Sequence, residues 1–103
     1  MVYPLQEKLH ISGMDDRAPS LARRWRLGCE DITFSYAPML DDPAALPQAA
    51  NRVAGLSRLW LHAPFAELIP CAIDPLVRQT AQHRFRQTLA AAQNAKTAAE
   101  AAQ

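Results

Sequence analysis

Three strand-like segments, each followed by a helix-like segment, constrain the fold of this chain more than any other feature. The strand-like segments are "KLHIS" (8–12), "DITFSY" (31–36) and "RLWLHA" (58–63), and their starts lie 23 and 27 residues apart. Strands that alternate with helices are joined by right-handed crossovers, so neighbouring strands run in the same direction. The sequence therefore predicts an α/β fold of three parallel βα units, with the strands in the order one-two-three.

Local start and stop signals separate the helical segments from the strands. The first helical segment has apolar residues at spacings of three and four: Ala18, Leu21, Ala22 and Trp25. This spacing predicts a helix that begins near Ala18, and Gly28 suits the position just past its end. Asp-Pro at 42–43 and again at 74–75 pairs a capping residue with a first-turn proline. These pairs predict the starts of the second and third helices.

The third unit has the most continuous apolar pattern. Successive apolar residues in "RLWLHA" predict a strand that is buried on both faces, as in a parallel sheet. The third helix has one apolar stripe, which consists of Leu76, Val77, Thr80, Ala81, Phe85, Thr88 and Leu89. Beyond residue 92 the chain has no large apolar residue, which predicts a frayed or solvated helical tail. We therefore expect one domain over residues 1–92 and a tail over 93–103.

Composition argues against several classes of function. The formal net charge is +1 and no basic cluster dominates, so nucleic-acid binding has no electrostatic basis. No segment approaches the roughly 20 apolar residues that span a bilayer, and the first residues lack a signal-peptide core. Cys29 and Cys71 form no CxxC pair and are expected to be small buried thiols in a reducing compartment. We expect a cytoplasmic protein without a membrane partner.

The repeat length is compatible with two architectures. Both a doubly wound sheet and part of a (β/α)8 barrel use strand-helix units of this size. The turn after the first strand, "ISGMDD", contains a single glycine. The glycine-rich phosphate loop of dinucleotide-binding folds is therefore missing from this turn, and that form of the doubly wound fold is weakly supported.

Two longer segments resemble a known family. "LHAPFAEL" followed by "DPLVRQTAQHRFRQTLAAA" resembles the third strand, loop and third helix of the xylose-isomerase-like TIM barrels, and "LGCEDITFSYAPMLDDP" resembles their second strand and following loop. This family includes sugar phosphate isomerases, epimerases and apurinic endonucleases. The resemblance implies an incomplete (β/α)8 barrel, because a barrel has eight units and roughly 250 residues. The chain is thus expected to be a fragment from the N-terminal portion of a larger barrel protein, a truncated gene product, or a one-third barrel that must pair with a partner.

The candidate site residues follow the predicted strands, because barrel enzymes build their sites at the carboxyl ends of strands. Ser12, Tyr36 and Glu67 are candidates for substrate binding. The resemblance implies that His62 ligates a divalent metal, Zn²⁺ or Mn²⁺, in an intact parent protein. A catalytic zinc site needs about three protein ligands, and the resemblance implies that the others lie on later strands. We therefore expect no metal to be held tightly by this chain alone.

Structural alternatives remain open for several polar residues. For this chain alone, the favoured interpretation of His62 is a partly buried side chain whose ring is hydrogen-bonded, and that of Glu67 is a solvated loop residue. His10 is predicted to pack within its strand or to form a hydrogen bond. Asp15 and Asp16 are placed either to hold substrate hydroxyls or to cap the first helix. Glu30 precedes the predicted second strand, so it lies at the wrong end for a site unless that strand begins earlier.

Two functions from different classes are consistent with the sequence. The first is the N-terminal part of a metal-dependent isomerase or epimerase that acts on a sugar or polyol, in which a metal polarises oxygens and a carboxylate moves a proton. This chain alone would be inactive. The second is a small non-catalytic α/β module that binds a partner, or another copy of itself, through an open sheet edge.

Overall fold

A computed structural model describes residues 6–101, which form a three-stranded sheet and three α-helices. The strands are β1 (His10–Ser12), β2 (Gly28–Asp31) and β3 (Leu59–Leu61). The α-helices are α1 (Ala18–Trp25), α2 (Ala45–Val53) and α3 (Pro75–Ala101). Short 3-10 turns cover Gln6–Lys8, Thr33–Ser35 and Ala37–Asp41. None of the helices among these described residues is long and apolar enough to cross a membrane.

The sheet is parallel and its strand order is β1-β2-β3, which confirms the prediction of three consecutive parallel βα units. Cys29 of the central strand is in register with Ile11 on β1 and Leu59 on β3. The ladder continues past β3, because the backbone N–H of His62 donates to the carbonyl of Asp31 at 2.8 Å. His62 is therefore held at the carboxyl end of the sheet by main-chain pairing.

All three α-helices contribute to one apolar cluster on one face of the sheet. The cluster is built from Ala18, Ala22, Cys29, Val53, Leu56, Ala95 and Ala99, with Ile11, Leu59 and Leu61 packed against it. Side chains alternate between the two faces of a strand, so the register places His10, Ser12, Glu30 and Trp60 on the other face. We call this second face the open face, since no helix of residues 6–101 contributes to a core cluster on it.

The second strand differs from its prediction. The segment 31–36 was expected to be extended, but β2 ends at Asp31 and Thr33–Ser35 is a 3-10 turn. The Asp31 carboxylate accepts hydrogen bonds from the backbone N–H and the hydroxyl of Thr33, each at 3.1 Å. Such local bonds let an aspartate end a strand in a turn. Phe34, one of the residues that predicted a strand, lies in this turn and has only 2% of its surface exposed. Its side chain packs in a second apolar cluster with Ala45, Ala49 and Ala91.

Gly28 does not end the first helix as predicted. Arg26 takes the left-handed conformation after α1, with φ of 56°, and Gly28 lies inside β2. A Cβ atom on Gly28 would lie 2.7 Å from Cγ of His10 and closer still to the far side of the ring. The His10 ring occupies this space and stacks on Trp60, with ring centroids 3.9 Å apart. The glycine therefore permits a stack that joins β1 to β3 across β2, and the predicted packing role of His10 is confirmed.

The third strand is buried on one face only, which corrects the prediction that both faces are covered. Leu59 and Leu61 pack against the helix-side core, whereas Trp60 between them is 56% exposed. Successive apolar residues indicated two buried faces because a tryptophan counts as apolar in the pattern. In the structure its indole lies on the open face, where His10 covers part of it.

Alanines rather than large apolar residues form the buried side of α3. The buried positions are Ala81, Thr88, Ala91, Ala95 and Ala99, whereas Leu76 and Leu89 of the predicted stripe are 72% and 71% exposed. The tail was expected to be solvated, but the helix continues to Ala101 and buries Ala95 and Ala99 in the core. Small side chains allow the helix to approach its neighbours closely. Residues 102–103 of the predicted tail lie outside the described residues.

Arg23 on α1 caps the carboxyl end of α2. Its guanidinium donates to the carbonyl of Arg52 at 2.6 Å and twice to that of Ala54, at 2.7 and 3.0 Å. The last carbonyls of a helix have no partner within the helix, and a cation there also interacts favourably with the helix dipole. These bonds fix the two helices to each other.

Replacing Gly28 with alanine is expected to destabilise the fold by about 1–3 kcal/mol, the usual cost of overpacking. The added Cβ would overlap the His10 ring and break the stack on Trp60. The measurement is urea unfolding of Gly28→Ala, His10→Ala and the double variant. Because His10→Ala empties the space, Gly28→Ala should cost less in that background. Strict additivity of the two changes in unfolding free energy would contradict this explanation.

Arg23→Ala should lower the unfolding free energy by about 1 kcal/mol, since several hydrogen bonds to helix-end carbonyls are lost. Arg24→Ala is the matched control, because Arg24 is the next residue on the same helix and its only described contact is with the ring of Trp25. Both variants are compared by thermal and urea unfolding. Equal losses for the two arginines would argue against the capping role.

Candidate functional site

His62 directly follows β3 and has one ring nitrogen engaged. Its Nδ1 atom lies 2.7 Å from the carbonyl oxygen of Ala63. A carbonyl oxygen only accepts hydrogen bonds, so Nδ1 carries the proton and Nε2 keeps a free lone pair. The ring also contacts Phe65 at a centroid distance of 5.3 Å. The predicted alternative of a hydrogen-bonded ring is therefore observed, and it leaves Nε2 in the form that ligates metals or accepts a proton.

Ser12 and Tyr36, the candidate substrate-binding residues, are both exposed. Ser12 ends β1 on the open face, in register with Glu30 of β2. Tyr36 is 66% exposed and lies between the two 3-10 turns that follow β2, not at the end of a strand as predicted. The structure therefore brings Ser12 to the carboxyl edge of the sheet and leaves Tyr36 on the loop beyond it.

Glu67 lies in the loop between β3 and α3. It is exposed, and its backbone has φ of 64°, in the left-handed region that non-glycine residues seldom occupy. Its carboxylate makes no hydrogen bond or ion pair with any residue of 6–101. The predicted alternative of a solvated loop residue thus fits Glu67 well.

Glu30 is a polar residue whose position in the sheet differs from the one predicted from sequence. The second strand begins at Gly28, three residues earlier than predicted, so Glu30 lies inside β2 and not before it. Its register partners are Ser12 on β1 and Trp60 on β3, and all three belong to the open face. Glu30 was expected to lie at the wrong end of the strand for a site unless the second strand began earlier, and in the structure it does begin earlier. The pairing of "GCED" with the short strand "HIS" was not evident from local propensity.

A second polar group lies on the helix side of the same sheet edge. The buried carboxylate of Asp31 pairs with Arg52 at 3.1 Å and accepts two bonds from Thr33. These residues and the turn that follows β1 line a cavity of about 280 Å³. Since both oxygens of the Asp31 carboxylate are bonded within the group, its role is to hold the β2–α2 loop on α2.

Two further residues near this cavity have structural explanations. Asp15 accepts hydrogen bonds from the guanidinium and from the backbone N–H of Arg17, which lower the pKa of its carboxyl to about 2. Arg17 is the N-cap residue of α1 and no side chain caps this helix, so the Asp15 carboxylate stabilises the turn before α1 and is not the predicted helix cap. Burial raises the pKa of the Cys29 thiol, so this cysteine stays protonated and is a poor nucleophile. Cys71 is exposed, which corrects the expectation that both cysteines are buried.

Metal-ligating side chains do not form a complete set in residues 6–101. No group of three or more histidine, cysteine, aspartate or glutamate residues in this part of the chain is arranged to hold a metal ion. His83 lies on the exposed side of α3, and His10 is stacked on Trp60. The site that the described residues do form is therefore a partial one, with the carboxylate of Glu30 and the hydroxyl of Ser12 on the open face and the imidazole of His62 just past the end of β3.

Comparisons with known proteins add no relative. No family model, curated protein or solved structure matches the chain.

The loop that carries Tyr36 is tied to α3 by a carboxylate. Asp41 accepts hydrogen bonds from Gln87 at 2.9 Å and from Arg84 at 2.7 Å. These bonds, first from Gln87 and then from Arg84, lower the pKa of the Asp41 carboxyl. A carboxylate whose pKa is lower in the folded state stabilises the fold above its unfolded pKa, and the contribution is lost as the pH falls through the folded pKa.

Asp41→Asn should therefore weaken the acid dependence of stability. The unfolding free energy of the variant is expected to fall less between pH 7 and about pH 3 than that of the original chain. Asp16→Asn serves as the control, because Asp16 is exposed and has no partner among the described residues. Urea unfolding at a series of pH values makes the measurement, and parallel curves for Asp41→Asn and the original chain would count against this coupling.

Proposed function

We propose that this chain supplies the first three βα units of a xylose-isomerase-like (β/α)8 barrel, whose complete form is a metal-dependent isomerase or epimerase of sugars or polyols. The observation that carries the proposal is the distribution of the helices. All three contribute to the core on one face of a parallel sheet, and the other face carries Ser12, Glu30 and Trp60 in one row.

This one-sided arrangement favours a barrel over a doubly wound sheet. Doubly wound folds place helices on both faces of the sheet, whereas a barrel keeps every helix outside and turns the other face inward. On this proposal the open face of the chain lines the barrel interior. Ser12 and His62 then lie at the carboxyl ends of the strands, where barrel enzymes carry their chemistry.

The state of His62 supports a role in metal binding. Metal-bound histidines usually donate their second ring N–H to a carbonyl or carboxylate, which fixes the tautomer and the ring orientation. The Nδ1–H of His62 already donates to the Ala63 carbonyl, so Nε2 is available as a ligand without rearrangement. When bound there, a divalent cation supplies polarisation of neighbouring substrate oxygens. Ser12 is positioned to orient a hydroxyl group at the same edge.

The proposal also explains why residues 6–101 form only part of a site. Catalytic zinc sites use about three protein ligands, and the family resemblance assigns the remaining ones to later strands. The chain alone is therefore expected to show no turnover on sugar substrates and no tight stoichiometric metal. The alternative module, which binds partners through the free edges of β1 and β3, would instead form discrete, stable oligomers in sedimentation experiments.

His62→Ala in a completed barrel tests the proposal. The completed barrel is a fusion in which units four to eight of a sugar phosphate isomerase of the resembled family follow the chain. Loss of the imidazole should lower metal occupancy or activity by roughly ten- to a hundredfold, the range that even outer-shell changes reach. Metal analysis and isomerase assays make the measurement, and His83→Ala, on the exposed side of α3, is the control.

Calorimetry of the unfused chain with Zn²⁺ and Mn²⁺ gives an independent check. Weak binding is expected, because a tight site needs a closed set of ligands. A tight site in the unfused chain that disappears in His62→Ala would show that three units already complete the metal site. Metal binding by the fusion that is unaffected by His62→Ala would reject the metal role of this histidine.

A further inference from the structure

We propose that Glu30 is the carboxylate that shares a divalent cation with His62. The inference deepens the proposed function, on which it rests, by naming a ligand within this chain that the sequence pattern did not assign. It depends on three observations: the face that Glu30 occupies, the lack of a partner for its carboxylate, and its position relative to the free Nε2 atom of His62.

Glu30 lies at the centre of the open face. β2 is the middle strand of the sheet, and Glu30 is flanked in register by Ser12 on one side and Trp60 on the other. The residue is half-buried between these neighbours. Asp31, the next residue, belongs to the helix side, so the two adjacent carboxylates serve opposite faces of the sheet.

The carboxylates of residues 6–101 divide into those with partners and those without. Engaged carboxylates belong to Asp15, Asp31, Asp41, Asp42, Asp74 and Glu100. Carboxylates without a hydrogen bond or ion pair to a described residue belong to Glu7, Asp16, Glu30 and Glu67. Of these four, Glu30 alone is not exposed. The Glu30 oxygens are not among the side-chain atoms shielded from solvent, so this carboxylate is accessible to a cation that approaches the open face.

His62 lies within reach of the same cation. Glu30 is in register with Trp60, and His62 follows two residues later, just past β3, where its backbone N–H bonds to the Asp31 carbonyl. Continuing the alternation of side chains from Trp60 to His62 places the imidazole on the side of the sheet that carries Glu30, about 8 Å away at the Cα atoms. A cation that is about 2.0–2.2 Å from both a carboxylate oxygen and an imidazole nitrogen fits this separation.

The donor chemistry indicates the class of cation. One neutral imidazole nitrogen and one carboxylate oxygen form a mixed set that Zn²⁺ and Mn²⁺ accept. Glu67, the carboxylate expected near His62 from the sequence, lies in the loop five residues beyond it and is exposed. Glu30 is held on a strand, and sites on strands are more precisely positioned than sites on loops. We therefore assign the cation-sharing role to Glu30.

Paramagnetic line broadening by Mn²⁺ in NMR spectra of the full 103-residue chain tests the assignment, because it detects weak binding. We expect broadening to centre on the amides of residues 30 and 60–62. Glu30→Gln keeps the shape of the side chain but removes its charge, and it should raise the apparent dissociation constant at least about tenfold, as should His62→Ala. Glu7→Gln, at an exposed glutamate outside the site, is the matched control and should leave the dissociation constant unchanged.

Three results would overturn the assignment: broadening centred on Asp15 and Asp16, broadening that Glu30→Gln leaves intact, or no localised broadening at millimolar Mn²⁺. The map of the original chain decides the first and third without any variant, so a folding defect in Glu30→Gln cannot obscure them. Failure here differs from failure of the barrel proposal. If only the Glu30 assignment is wrong, metal occupancy of the fused barrel still depends on His62 and not on Glu30.

Discussion

Close packing of small side chains against one face of the sheet is the constraint on which the rest of the structure depends. Ala18 and Ala22 of α1, Cys29 of β2, and Ala95 and Ala99 of α3 meet in a single cluster. Because these residues have little volume, three helices fit over three short strands on the same side. Any larger residue in the cluster would push a helix away, since protein interiors tolerate added volume poorly.

The one-sided core determines how the polar residues at the sheet edge are divided. On the helix side, Asp31 is bonded to Arg52 and Thr33, and this group holds the loop after β2 in place. On the open face, Glu30 has no such partner, and just past β3 His62 keeps Nε2 free. The polar groups on the helix side are thus bonded within the fold, whereas Glu30 and His62 keep atoms that remain available for a ligand.

The order of the elements could be predicted from sequence because it depends on local patterns. Apolar spacing and Asp-Pro starts were sufficient to indicate three βα units and to locate His62 at the end of β3. The register was less accessible, since it depends on pairing between distant segments. Local propensity extended β2 through Phe34, but the side-chain bonds of Asp31 turn the chain there, and the shift brings Glu30 into the strand.

Besides the strand register, local sequence patterns did not predict which side chains of α3 are buried. Leu76 and Leu89 have the size expected of core residues, yet the buried side of α3 is made mostly of alanines, whose position is fixed by packing against α2 and within the core cluster shared with α1. The stretch after residue 92 was judged by its lack of large side chains. The small side chains of Ala95 and Ala99 gave no apolar pattern that predicts burial. The same small size allows both residues to pack in the core.

The stack of His10 on Trp60 over Gly28 has a consequence for the shape of the sheet. The two rings come from the outer strands, which are separated by the whole width of β2, or about 9–10 Å at the usual strand spacing. Their centroids are nevertheless only 3.9 Å apart, so both side chains lean inward above the central strand. The contact therefore links the two outer strands directly on the open face, and it resists flattening or splaying of the sheet between them.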